Sequence, residues 1–219
     1  MKIALDIETI PLPPEKREFT KPDPETFNYG AAKKEETRQA KFAEAVAEWE
    51  RGDKAALKAI TGSVALIMYT DGKDMQVFST VDGTEADMLD AFWLSLEENR
   101  PSTIIGHNLI NFDIKFLVRR SIILGVDVPE RYIAPLFDKY RQELYVDTMQ
   151  FWGLGEYNYM VSLAKLCAVF GIDVKESEVN GKEFYRYWVG GDREDVPAAL
   201  DYCRQDVEAT WKLAKKLRI

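Results

Sequence analysis

The first periodic segment of the chain is KIALDIE, residues 2–8, in which Ile3, Leu5 and Ile7 alternate with Ala4, Asp6 and Glu8. A period of two predicts a strand, and it makes the two carboxylates neighbours on one face at the strand's C-terminal end. A Pro-rich stretch, IPLPPEKREFTKPDPETF, then interrupts regular structure. From about Ala31 to Ile60 the chain turns to Ala, Glu and Lys, broken only at Arg51-Gly52-Asp53, which predicts one or two amphipathic helices inserted between the first two strands. This 31–60 insertion reads either as a solvated excursion or as an arm guiding substrate beside a site.

Gly62 to Ser79 predicts a β-hairpin, SVALIMYT and DMQVFS around an Asp71-Gly72 turn. Helical spacing of Met88, Leu89, Phe92, Trp93 and Leu96 predicts a helix over Glu85–Asn99, closed by Arg100-Pro101. STIIGHN predicts a buried strand, and Asn111 is placed to cap a helix reaching about Leu124, with Gly125 as its stop. ELYVDTMQF predicts another strand, residues 161–170 a short helix, and Pro197 the start of a final helix striped by Ala199, Cys203, Val207, Thr210, Ala214 and Leu217. Three antiparallel strands followed by strands alternating with helices give an α/β fold, a mixed sheet covered by helices.

Composition narrows the function. With 219 residues and 46% hydrophobic residues the chain suits a single globular domain over 1–219. No run approaches the roughly 18 apolar residues of a membrane span and no signal-peptide layout opens the chain, so a cytosolic protein without a membrane partner is expected. A net charge of −8 argues against coating duplex nucleic acid by phosphate neutralisation, yet leaves room for a nuclease that grips a few nucleotides. The two cysteines, Cys167 and Cys203, read as core thiols within apolar helical patterns. One histidine and no CxxC pair leave too few soft ligands for structural zinc, so hard oxygen ligands remain, which favour Mg²⁺ or Mn²⁺.

Four acids in three distant segments carry the chemistry: Asp6 and Glu8, Asp113 in NFDIKFL, and Asp206 in YCRQDVEAT. Brought together in a desolvated cleft, they repel so strongly that bound cations are needed to keep all four ionised. Tyr202 stands one helical turn ahead of Asp206, so phenol and carboxylate share a helix face. Each residue also has a plainer reading. Asp113 falls in a first helical turn, where negative charge is ordinary. Asn108 can donate to a sugar hydroxyl or phosphate oxygen, or stabilise its loop. His107 reads as a hydrogen-bonded structural histidine rather than a general base.

DIET, HNLINFD and YCRQD resemble motifs I, II and III of the DEDD 3′–5′ exonuclease superfamily, the DnaQ-like group with a ribonuclease H-like fold. Tyrosine four residues before the last aspartate is similar to the DEDDy branch; where the DEDDh branch has histidine, this chain has Asp201. ALKAITGSVALI and NGKEFYRYW extend the likeness to predicted exonucleases related to the proofreading domain of family B DNA polymerases, often bacterial or phage-encoded. The resemblance implies a ribonuclease H-like five-stranded sheet, three antiparallel strands then two parallel. It implies Asp6, Glu8, Asp113 and Asp206 as ligands of two divalent cations, Mg²⁺ or Mn²⁺, and Tyr202 as the residue that positions the attacking water. Thr9 and Asn108 match positions near the substrate, and Asp147 a supporting acidic position. The expected activity is metal-dependent hydrolysis at 3′ ends of single-stranded DNA, releasing nucleoside 5′-monophosphates in repair or replication. Alternatives are RNA as substrate or a catalytically silent interaction module, and no protein partner is implied. The Ala/Glu/Lys-rich insertion departs from many proofreading domains.

Overall fold

Ile3, Ala4 and Leu5 are almost wholly inaccessible to solvent, so the first strand is covered on both faces and lies inside a sheet rather than at its edge. The structure is a computed structural model and describes residues 1–52, 54–137, 142–156, 160–174, 184–190 and 196–219. The last residue of Arg51-Gly52-Asp53 and the opening NGKE of NGKEFYRYW lie outside them.

The sheet has five strands in the order β3-β2-β1-β4-β5: β1 Lys2–Pro11, β2 Gly62–Thr70, β3 Met75–Ser79, β4 Thr103–Gly106 and β5 Tyr145–Asp147. β2 and β3 pair antiparallel with Leu66 opposite Ser79, while β4 runs parallel to β1 and to β5. This is the mixed sheet expected from the sequence. Every residue of β2 is buried, as a sandwiched strand requires. In the parallel half, Ala4, Ile105 and Val146 stand in one row, so Asp6 lies just past the last paired residue, at the C-terminal edge of the strands. Ligand sites of parallel sheets lie at that edge.

The helices are α1 Glu35–Arg51, α2 Glu85–Asn99, α3 Asp113–Leu124, α4 Glu130–Ile133, α5 Thr148–Gly153, α6 Leu163–Val169 and α7 Val196–Leu217. α2 matches its predicted span because both ends are coded: Thr84 and Asp87 form a capping box and Arg100 closes the helix at φ 42°. Arg120 of α3 reaches Glu85 of α2 through two bonds of 2.9 and 2.7 Å, and Glu85 also accepts from the Val64 amide at 2.7 Å. This buried pair links α2, α3 and β2.

Three expectations are corrected. The first strand runs on to Pro11, and the Pro-rich stretch holds two 3₁₀ turns, Pro14–Lys16 and Glu18–Thr20; a proline ends a strand without harm where its missing N–H is not needed. The insertion holds one helix among its described residues, α1, within the one or two expected, and Gly52 stops it in the left-handed region at φ 76°. Asn111 does not cap α3; the cap residue is Phe112, with no side-chain bond, and the helix begins at Asp113 itself. ELYVDTMQF is a strand only over Tyr145–Asp147, because the Asp147 side chain accepts from the Met149 and Gln150 amides and starts α5 there.

The chain divides into two compact units, Met1–Glu8 with Val64–Ile219, and Thr9–Ser63. The first contains most of the sheet and α2 to α7. In the second, Phe27 meets Tyr29 and Phe42 edge to face with centroids 4.9 and 5.4 Å apart, and Trp49 Nε1 donates to Thr20 Oγ1 at 3.1 Å.

Candidate metal centre

The N-terminal acids and the mid-chain acid are joined by the backbone. The backbone amides of Ile7, between Asp6 and Glu8, and of Asp113 itself lie near enough to the Asp113 carboxylate to hold its pKa down. β1 therefore runs beside Asp113 while presenting its own two carboxylates on either side of the Ile7 amide. Gly106 allows the tight path from β4 towards α3, since a Cβ there would stand 2.7 Å from Leu109 Cβ.

α7 brings the C-terminal group. Its buried stripe includes Ala199, Cys203, Val207 and Thr210, and the helix packs against β4. That registry sets Cys203 Sγ 3.7 Å from Asp6 Oδ2. Ligand atoms of Asp6, Glu8 and Cys203 lie within 4.8 Å of one another. Tyr202 and Asp206, four residues apart, face the same group, and the phenol lies close enough to the Asp206 carboxylate to hold its pKa back.

The electrostatics follow from this crowding. Glu8 is 8% exposed and Asp113 4%; Asp6 keeps a partial opening to solvent, though protein crowds its carboxyl group. Burial, followed by repulsion from Asp113, Glu8 and Asp206, pushes Asp6 well above the usual carboxylate range. Glu8 rises through burial and then Asp206 and Asp113. Burial lifts Asp113 to about 7 against the two amide bonds, with Asp147 adding to the rise. Asp206 rises to about 6 by burial, held back by Tyr202. Burial and the same acids raise Tyr202, which stays a neutral phenol. Among the described residues no ammonium or guanidinium group offsets the repulsion on Asp6 or Glu8. An all-oxygen acid cluster without an internal counter-charge fits hard divalent cations.

A family model described as a predicted 3′–5′ exonuclease related to the exonuclease domain of PolB matches residues 53–218. The chain belongs to that family. An uncharacterized protein of Methanocaldococcus jannaschii is 30% identical over 141 residues, covering 63% of this chain and 76% of its own. A DNA polymerase of Archaeoglobus fulgidus is 26% identical over 160 residues, 70% of this chain. The chain spans only 20% of that polymerase's length. Among solved structures, the family B DNA polymerase of Pyrobaculum calidifontis superimposes with a TM-score of 0.62 over 99% of this chain and 24% of the polymerase; at 20% identity this likeness shows the fold. The expectation of a PolB-type exonuclease fold thus stands. These relatives are archaeal, and no helix among the described residues is long and apolar enough to cross a membrane.

Around the acids of this PolB-type exonuclease domain, the supporting residues divide clearly. Asp147, 4% exposed, accepts from the amides of Asn108 (3.0 Å), Ile110 (3.1 Å), Met149 (3.0 Å) and Gln150 (3.3 Å). It ties the loop ahead of Asp113 to the start of α5. Asp147→Ala is expected to destabilise the protein by about 2–4 kcal/mol, since a helix cap is lost and buried amides lose their acceptor; urea denaturation would measure it.

Asn108 takes a left-handed conformation at φ 65°, and its Oδ1 is buried without a hydrogen-bond partner among the described residues. His107 bonds Thr148 Oγ1 at 2.9 Å and the Val161 carbonyl at 2.8 Å, and burial pushes its pKa down. Its bonding is that of a structural histidine. Thr9 follows Glu8 in β1, half-buried, and belongs to the Thr9–Ser63 unit.

Cys203 is the residue sequence reasoning missed. It is fully buried, as a core thiol should be, yet it touches Asp6, and burial followed by Asp6, Glu8 and Asp206 raises its pKa well above the usual thiol value. The signal was present: position 203 lies on the stripe of α7 that faces the sheet, next to Tyr202. Cys167 instead packs with Leu166, Ile172, Ala209 and Leu213.

Proposed function

We propose that this protein is an active 3′–5′ exonuclease, hydrolysing the terminal phosphodiester of single-stranded DNA and releasing nucleoside 5′-monophosphates. The observation that supports it is the convergence of Asp6, Glu8, Asp113 and Asp206, whose mutual repulsion is offset by no cation among the described residues. The choice of DNA rests on the likeness to DNA polymerases. On this reading residues 1–219 work as a single exonuclease domain, with 31–60 as its helical insertion.

Asp6, Glu8, Asp113 and Asp206 would hold two divalent cations, Mg²⁺ or Mn²⁺. When bound, such ions supply the positive charge that favours hydroxide over water and stabilises charge on the phosphoryl and leaving oxygens. The chain's own part is positioning. Tyr202 keeps its proton beside Asp206, so its oxygen can accept from the attacking water and orient it. A phenol with a raised pKa is no base. In the reaction the water oxygen bonds phosphorus, the bond from phosphorus to the 3′-oxygen breaks, and the 3′-oxygen regains a proton. The unpartnered Asn108 Oδ1 and the Thr9 backbone are the substrate contacts of this reading.

Tyr202→Phe removes the hydroxyl but keeps the ring, so turnover should fall about 10- to 100-fold, as for a misplaced nucleophile, while Mn²⁺ affinity is retained. Equal turnover in the variant would remove Tyr202 from the mechanism. The test of the function itself uses end-labelled single-stranded DNA and RNA with Mg²⁺ or Mn²⁺. Mononucleotides appearing from the 3′ end of DNA are expected; inertness towards both polymers would overturn the reading.

A further inference from the structure

Cys203 stands one residue after Tyr202 and three before Asp206, wholly buried on α7, with its Sγ 3.7 Å from Asp6 Oδ2. A thiol so placed can serve a cation in two ways, as a ligand or as a hydrogen-bond donor to one. Its surroundings favour the donor. Burial, followed by Asp6, Glu8 and Asp206, keeps the proton on sulfur, and the protonated thiol can donate. Sulfur is also a soft ligand beside hard carboxylates, a poor match for the ions that the oxygen set suits. Among the described residues the thiol gives Asp6 its one side-chain hydrogen bond. It is also the single influence favouring the Asp6 carboxylate against burial and three neighbouring acids. A carboxyl group turns freely about its side-chain torsions unless a partner holds one oxygen.

We propose that Cys203 is a positioning residue of the metal centre: its S–H holds Oδ2 of Asp6 and so sets the direction in which the other carboxyl oxygen is offered to a cation. The thiol rides on the helix that carries Tyr202 and Asp206, so the same contact ties β1 to α7 in the register that brings those groups to Asp6. The inference rests on the reading of the four acids as cation ligands and deepens it. Partners that orient a metal-holding side chain are worth about 10- to 100-fold in metal affinity or activity. S–H is a weak donor, so the loss here should be about three- to tenfold.

The test titrates the full chain with Mn²⁺, followed by electron paramagnetic resonance. The dissociation constant should rise about three- to tenfold in Cys203→Ala and less in Cys203→Ser, which keeps a donor on a shorter bond. It should stay unmoved in Cys167→Ala, which removes the other buried thiol. A role in packing alone would reverse the first two, since alanine is the milder replacement in an apolar site. A second readout needs no change at Cys203 and so does not depend on the folding of its variants. The S–H stretching band falls in frequency when a thiol donates a hydrogen bond, and in Cys167→Ala the remaining thiol is Cys203. In that metal-free background, adding Asp6→Ala should raise the frequency. The proposal is overturned by unweakened Mn²⁺ binding in Cys203→Ala, by equal weakening in Cys167→Ala, by tighter binding with alanine than with serine at 203, or by a band that Asp6→Ala leaves in place. Mn²⁺ affinities in the expected order in a protein inert towards DNA and RNA would overturn the nuclease reading and support this one, which keeps the two failures apart.

Discussion

Asp206→Ala and Asp6→Asn are each expected to lower exonuclease turnover by about 10³-fold or more, the scale of losing an electrostatic contact in a water-poor site. The two changes act from opposite ends of the chain. Asp206 rides on α7 one turn from Tyr202, so on the proposed reading its loss removes a cation ligand and the neighbour of the phenol together. Asp6 lies beside both Glu8 and Cys203, so even the isosteric amide lowers the charge where the proposed cations would be held. Neither variant should unfold. Each relieves repulsion in the metal-free protein, so thermal stability in EDTA should hold or rise while Mn²⁺ binding weakens. Release of labelled mononucleotide and Mn²⁺ titration by electron paramagnetic resonance would measure both. Undiminished turnover in Asp206→Ala would remove that residue from the metal centre, and the proposed roles of its neighbours with it.

Much of this centre was legible in the sequence because strand and helix periods are rigid. Alternation alone put Asp6 and Glu8 on one side of β1, and a spacing of four put Tyr202 and Asp206 on one face of α7. Elements with chemically marked ends were legible as well: the Arg100 closure of α2 and Gly125 after α3 stand where they were expected. Periodicity could not reveal bonds between distant segments. The Ile7 amide beside the Asp113 carboxylate, the Asp147 carboxylate that gathers four amides and the approach of Cys203 to Asp6 depend on which strand lies beside which. The overextended fifth strand has the same origin. YVDTMQF reads as strand throughout, until Asp147 uses its side chain to cap a helix that propensity does not suggest.

Metal-free protein is expected to lose stability as pH rises through neutrality, the reverse of ordinary acid denaturation. The sign follows from proton counting. Asp6, Glu8, Asp113 and Asp206 have folded pKa values above those of the unfolded chain, so the folded state holds protons that the unfolded state has released. Stability then falls with pH from near 4 upward until the folded groups ionise. His107 acts in the opposite sense, because its folded pKa is lowered; its contribution grows as pH rises towards 6.5 and is complete above that value. Exposed acids with lowered values, Asp71 and Asp87, act only at acid pH. The interval from pH 6.5 to 8 isolates the cluster. Each retained proton gives a slope of about 1.4 kcal/mol per pH unit, so a loss on the order of 2 kcal/mol for every proton still held is expected across it. Mg²⁺ or Mn²⁺ at about a hundred times its dissociation constant should restore roughly 2.7 kcal/mol by mass action. Urea denaturation in EDTA at the two pH values, with and without metal, reads both effects. Stability that stays flat or rises over that interval would mean that the four acids do not share one desolvated site, and the case for cations held between them would go with it.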